Sequence, residues 1–496
     1  MLNKIKNNGQ VFTPDYLVKN ILDEAGYYGE NILQKHCMEN SCGSGAFLCE
    51  IIKRYYNEYV AFYHTANGVE EHLSQYIHAI EIDNYIFNVD LQKNLKDLCK
   101  SLHLKEVDFD IRHADTLTVS DYDNKMDFVV GNPPYVRVHN LNEGYNTVKK
   151  YAFATGGMTD LYLVFFEIGF RMLKEGGHLC YITPSSWLNS VAGANLRDYI
   201  RKNRNLISLI DLAHYQAFRV TTYTLISHFR KGINTDNFAY YEYDIENRDK
   251  KYIETLCINE IDINGYFYLA YRKTLNQLRE IIMNRGLKLA VVKNGFATLS
   301  DKVFIAQDFP FTQHVIPAIK ASTGKWYKAF FPYDTKGKPL DKEKIFNNQD
   351  IAEYLYLHKE NLLKGQKEGS NPQWYLYGRT QALKDVYVNK ISINTCIKDV
   401  SSIKINHVPR GCGLYSGLYI LTNADIDTIT KILYNEDFIK YISSLKKYKS
   451  GGYYTFNSKD IELYLNYHLN ILQTNGSITI KSINKQGISQ CNQTLF

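Results

Sequence analysis

Between residues 10 and 230 the chain alternates short apolar runs with segments whose apolar residues recur at helical spacing. This alternation constrains the fold more than any other feature. Strands separated by helices pair in parallel, and the helices then cover both faces of a single sheet. The candidate strands are His36–Glu39, Tyr76–Ile82, Asp108–His113, Phe128–Val130, His178–Ile182, Leu206–Leu212 and Thr224–Phe229. Tyr16–Ala25 has helical spacing, with Thr13 placed as N-cap and Pro14 at the first helical position, and Leu161–Leu173 is a second apolar helix stopped by Gly176 and Gly177. The expected class is α/β, with a Rossmann-like first domain and a mixed, β-rich module after it.

Charge divides the chain at about the same place. Residues 265–496 carry 31 Lys and Arg against 18 Asp and Glu, whereas residues 1–264 carry 27 against 34. A basic module joined to an acidic one points to a polyanion bound by the second part. Residues 232–262, rich in charge and tyrosine, are expected as a connection or as peripheral strands. The nine cysteines include no C-x-x-C pair, so neither a disulfide framework nor a zinc site is indicated. No apolar run reaches the ~18 residues of a membrane span, and the amino terminus has no apolar signal segment, which leads to the expectation of a cytoplasmic protein.

Four successive strand ends carry polar groups, the place where open α/β sheets bind ligands. The first strand runs into Glu39-Asn40-Ser41-Cys42-Gly43-Ser44-Gly45, whose glycines permit a tight turn and close backbone approach. The second ends in Glu81, Ile82 and Asp83, where a carboxylate can grip ribose hydroxyls. The third ends at Asp115, and the fourth in Gly131-Asn132-Pro133-Pro134-Tyr135-Val136. Two prolines there fix φ and remove two N–H donors, so that the Asn132 side chain and the Pro133 carbonyl can act as paired acceptors, with Tyr135 as a flat face beside them. Two acceptors and an aromatic face suit a planar amine such as that of adenine.

With these residues in hand, the sequence resembles the TaqI-like, gamma-class DNA adenine methyltransferases of restriction-modification systems. Phe12-Thr13-Pro14 resembles the family element that packs on the methionine end of S-adenosylmethionine. Glu39 to Gly45 resembles its Asp-Pro-x-Cys-Gly-Ser-Gly loop, with Glu and Asn standing where Asp and Pro are usual, and Glu81 with Ile82 its ribose-binding strand end. The resemblance further implies that Asp115 meets the cofactor adenine, that Leu161 opens a helix lining the pocket, and that Phe218 stacks an extruded base opposite Tyr135. It assigns Asn132, Pro133, Pro134 and Tyr135 to catalysis, with Asn132 and Pro134 also against the cofactor. The implied reaction is direct methyl transfer to the N6 amine of a flipped adenine in double-stranded DNA, with no metal.

The same resemblance divides the chain into a methyltransferase domain at 1–232, a connecting segment at 233–264, a DNA target-recognition domain at 265–480 and a polar tail at 481–496. Lys293, Arg379, Lys446, Lys447 and Lys449 are the expected DNA contacts, with any cognate endonuclease encoded separately. Three other readings stay open at this point: a modification subunit that borrows specificity from another chain, a protein glutamine methyltransferase, whose substrate amide resembles the adenine amine edge, and a non-catalytic DNA-binding protein.

Overall fold

The computed structural model describes residues 13–138, 145–155, 158–218, 222–364 and 373–483. Two compact units divide after Asn276.

The first unit is built on one nine-stranded sheet. Its strands are β1 (Cys37–Glu39), β2 (Ile77–Glu81), β3 (Asp110–His113), β4 (Met126–Gly131), β5 (Leu173–Pro184), β6 (Leu206–Asp211), β7 (Thr224–Arg230), β8 (Asn237–Asp244) and β9 (Asp249–Cys257). Their spatial order is β3-β2-β1-β4-β5-β7-β6-β8-β9. The first five are mutually parallel, β7 enters antiparallel between β5 and β6, and β9 closes the edge antiparallel to β8. The chain steps outward from β1 to β3 and then returns to the other side of β1 as β4, so the order reverses between β1 and β4. That is the switch point at which such sheets open a crevice beyond their carboxyl ends.

Period-two alternation sets the two faces of the sheet. Met38, Ile80 and Val129 pack on one face with the helix Leu161–Met172. Cys37, Ala79, Phe128 and Val130 pack on the other with the helices Asp15–Glu24 and Ala46–Tyr63. Ten of the twelve residues of Leu161–Met172 are buried, which explains its nearly uniform apolarity. Gly169 is required there because a Cβ would lie 2.3 Å from Leu179 Cδ1, so this helix lies directly on β5.

Residues 233–264, expected as a connection or peripheral strands, supply the two outermost strands. β8 pairs in parallel with β6, and Phe238, Tyr240, Tyr243 and Leu256 are buried. The first unit therefore extends to Asn276 and is not complete at residue 232. Asp249 and Lys251 on β9 face water, as suits an edge strand.

The second unit is mixed and rich in short strands. One antiparallel sheet has the order Ala290–Asn294, Leu418–Thr422, Lys390–Ile393, Ile405–Val408, and a second four-stranded sheet contains the hairpin Val315–Lys320 and Lys325–Phe330. Its core is strongly aromatic, with Phe296, Phe304, Phe330, Tyr333 and Tyr377 in one cluster. Among the described residues no helix is long and apolar enough to cross a membrane.

Candidate active site

The glycine turn after β1 is held from below by β2. Cys42 N–H donates to the Ile80 carbonyl at 2.9 Å, and Gly43 N–H donates to Glu81 Oε2 at 2.7 Å. Glu81 Oε1 accepts from Asp83 N–H at 2.7 Å, so this carboxylate fixes both the glycine loop and its own strand end. Gly43 and Gly45 have φ of +55° and +88°, which favours glycine at both. A Cβ on Gly45 would fall 2.7 Å from Leu91 Cδ1, whereas one on Gly43 would meet nothing within 4 Å. The loop is thus packed tightly behind and open in front.

Glu39 ends β1 at the switch point and is only 2 % exposed. Its Oε2 has no hydrogen-bond partner among the described residues. Burial pushes this carboxyl well above the usual carboxylate range; the nearby Leu48 N–H pulls it back, and Glu81 pushes it further up. Beside it, the Thr116 hydroxyl donates to the Asn40 carbonyl at 2.6 Å and ties the turn to the end of β3. Asp115 caps the short helix that follows β3, accepting from Leu117 N–H at 3.0 Å. Ile82, next to Glu81, is 63 % exposed and offers an apolar face at the crevice.

β4 ends at Gly131 and delivers Asn132 next to β1; a Cβ on Gly131 would touch Glu39 Cγ at 3.6 Å. Asn132 Nδ2 donates to Thr13 Oγ1 at 3.1 Å, which brings the amino-terminal Thr13-Pro14 element to the corner and turns the amide oxygen away from it. The Tyr135 hydroxyl donates to the Ile182 carbonyl at 3.1 Å, anchoring the ring on β5. Leu161 N–H donates to the Val136 carbonyl at 2.7 Å, so the helix Leu161–Met172 begins directly behind the corner. Pro133 is buried and Pro134 half-buried. Of the predicted residues, Thr13, Pro14, Glu39, Cys42, Gly43, Ser44, Gly45, Glu81, Ile82, Asp115, Asn132, Pro133, Pro134, Tyr135 and Leu161 all lie at the carboxyl ends of β1–β4 or on elements packed against them. Phe12 lies outside the described residues.

Four of the predicted residues are engaged by neighbouring side chains. Tyr135 and Phe218 meet edge to face, with centroids 6.3 Å apart and planes at 79°, and do not form the parallel pair that would hold a base between them. A sandwich needs parallel faces about 7 Å apart, twice a ~3.5 Å carbon contact, so one ring must turn. Lys293 does not face outward as a free cation: its Nζ lies 2.8 Å from Asp385 Oδ2. Lys447 is likewise held by both carboxylate oxygens of Asp460, at 2.8 and 2.6 Å. Arg379 and Lys449 are exposed, and Lys446 lies half-buried with its Nζ 5.9 Å from the Tyr448 ring centroid. Sequence reasoning also missed Tyr16 and Tyr215, whose hydroxyls hydrogen-bond across 199 residues of chain, a separation no local pattern reveals.

An α/β unit with a mixed sheet and polar groups gathered at its switch point is the arrangement in which open sheets bind ligands. Residues 51–218 match the model of the Eco57I restriction-modification methylase family. The chain is 22% identical over 484 residues to the type II restriction enzyme and methyltransferase RM.Eco57I of Escherichia coli, across 77% of this chain and 48% of that protein. It is 30% identical over 223 residues to the type II methyltransferase M.PaeR7I of Pseudomonas aeruginosa, across 43% of this chain and 38% of that one. The chain thus aligns with about half or less of these relatives' length. Among solved structures, the type IIL restriction-modification enzyme MmeI in complex with DNA has the same fold, with a TM-score of 0.59 at 13% identity over 89% of this chain and 63% of that one.

Proposed function

We propose that the first unit is an S-adenosylmethionine-dependent DNA methyltransferase acting on the N6 amine of adenine, and that the second unit reads the target. The observation that carries this reading is Asn132: an amide at the switch point, oriented by Thr13, in a proline-fixed corner beside the glycine turn and Glu81. Relatives named as type II methyltransferases and the basic second half support DNA as the substrate.

The residues fit the cofactor. Glu81 and Ile82 would take its ribose and adenine, the open front of Gly43 its backbone contacts, and the unpartnered Glu39 Oε2 the cationic amino-acid end. When bound, S-adenosylmethionine supplies an electrophilic methyl group. The chain's own part is to hold the amine. Asn132 Oδ1 and the Pro133 carbonyl accept its two hydrogens, drawing the nitrogen lone pair out of conjugation and toward the methyl. The base must leave the duplex to reach this corner, at a cost of a few kcal/mol offset by stacking on Tyr135.

Expression in a methylation-free bacterial host, followed by single-molecule sequencing of the genome, tests the reading. One short motif carrying N6-methyladenine throughout is the expected result. An unmodified genome from protein that binds the cofactor would reject self-sufficient target recognition.

A second expectation concerns Glu39. Its folded-state carboxyl is raised, so its neutral form is favoured, and the stability linked to that proton is lost as pH rises through the folded value. A cation placed against Oε2 favours the ionised form. Cofactor binding should therefore expel the proton, and affinity should strengthen as pH rises. Calorimetry over a pH series in buffers of different ionisation enthalpy should report proton release in the wild type, and none from this source in Glu39→Gln. Equal proton release from both proteins would reject Glu39 as the cofactor's counter-charge.

A further inference from the structure

The helix Asp15–Glu24 carries Thr13 and Pro14 at its head, and the segment from Leu212 to Phe218 carries the aromatic ring that meets Tyr135. These two pieces are joined by the hydroxyls of Tyr16 and Tyr215, three residues from Thr13 and three from Phe218 respectively. Both rings are supported. Arg248 lies over Tyr16, 5.2 Å from its centroid, and Tyr215 stacks on Tyr243 at 5.5 Å with planes at 15°. Asn20 fastens the same helix to the Arg248 carbonyl at 2.8 Å.

The contacts form a circuit. From Thr13 it passes to Asn132, along the proline corner to Tyr135, across the ring edge to Phe218, back along the segment to Tyr215, and through Tyr16 to Thr13. We infer that the Tyr16–Tyr215 pair is a positioning clasp: it makes the placement of Phe218, and so the admission of the target base, depend on what fills the cofactor end beside Thr13. The inference rests on the methyl-transfer reading. The edge-to-face rings give it a task, because a base enters only when Phe218 turns or withdraws. Phe218 cannot move with its segment while Tyr215 is tied to the helix of Thr13. A ligand that settles the Thr13-Pro14 element therefore settles the segment, and by linkage a base drawn in beside Phe218 tightens the cofactor by the same factor.

Tyr16→Phe and Tyr215→Phe test this in the full chain, since each keeps its ring and removes only the hydroxyl. The readout is backbone hydrogen exchange with and without S-adenosylhomocysteine. The amide of Tyr215, bonded to the Leu212 carbonyl at 2.8 Å, and that of Ala213, bonded to Asp211 Oδ1 at 2.8 Å, report on the segment. In the wild type the ligand is expected to slow exchange both at residues 39–45 and at residues 212–218, the latter about fivefold, the equivalent of one neutral hydrogen bond. In either variant the slowing at 212–218 should vanish while that at 39–45 remains. Slowing at 212–218 that persists in both variants, or that is absent from a wild type protected at 39–45, overturns the clasp alone. A wild type protected at neither place overturns the methyl-transfer reading, and the clasp with it.

Discussion

Asn132→Ala is expected to bind S-adenosylmethionine nearly as well as the wild type and to lose methyl transfer by at least about 100-fold, the scale on which removing one preorganised polar group from a reacting centre is felt. The glycine turn and Glu81 that would hold the cofactor are fixed by bonds that do not involve Asn132. The Thr13 hydroxyl accepts from the Asn132 amide nitrogen. Thr13→Val separates orientation from chemistry, because it removes the acceptor for that nitrogen and leaves the amide oxygen in place. A loss of about fivefold is expected there, the worth of one hydrogen bond that fixes a side chain. Cofactor titration paired with single-turnover methyl transfer reads both quantities. Equal losses in binding and turnover for Asn132→Ala would make the residue part of the cofactor's seat; turnover within a few-fold of wild type would remove it from the reaction.

The parts of this site that were legible in the sequence are those set by backbone geometry. Glycines with positive φ at Gly43 and Gly45, prolines at Pro133 and Pro134, and carboxylates at the tips of β1 and β2 announce themselves because few other residues serve there. The outer sheet was harder to see. β8 and β9 bury Phe238, Tyr240 and Leu256 on one side and send Asp249 and Lys251 into water, so their composition alone resembles a loop. The orientation of Phe218 depends on side-chain rotation, which residue identity does not specify. In the second unit the aromatic run Trp374-Tyr375-Leu376-Tyr377 is core: the Tyr377 hydroxyl donates to the Phe330 carbonyl at 2.8 Å, and of the residues that follow, Gly378 and Arg379 reach the surface.

The lysines show the same limit, and one of them yields the larger stability effect. Lys293 and Tyr419 are cross-strand partners, and both reach a single carboxylate, Asp385, at 2.8 and 2.6 Å. Asp385 is 5 % exposed, and its backbone carbonyl also receives Lys390 Nζ at 2.9 Å. Asp385→Ala would leave a half-buried ammonium and a buried hydroxyl without this acceptor, so the second unit should lose about 3–5 kcal/mol, the range for breaking a buried ion pair. Asp385→Asn keeps an acceptor for Tyr419 and should cost less. The unfolding transition of residues 277–496, followed in urea, reads both. The pairing engages Lys293 within the second unit. Lys293→Met should lower stability without changing how affinity depends on salt, whereas Arg379→Ala or Lys449→Ala should leave stability alone and reduce the salt slope by about 0.9 each if they meet phosphate. A slope change from Lys293→Met as large as that from Lys449→Ala would mean that Asp385 releases its partner to DNA, and the ion pair would then be a resting contact, not a permanent strut.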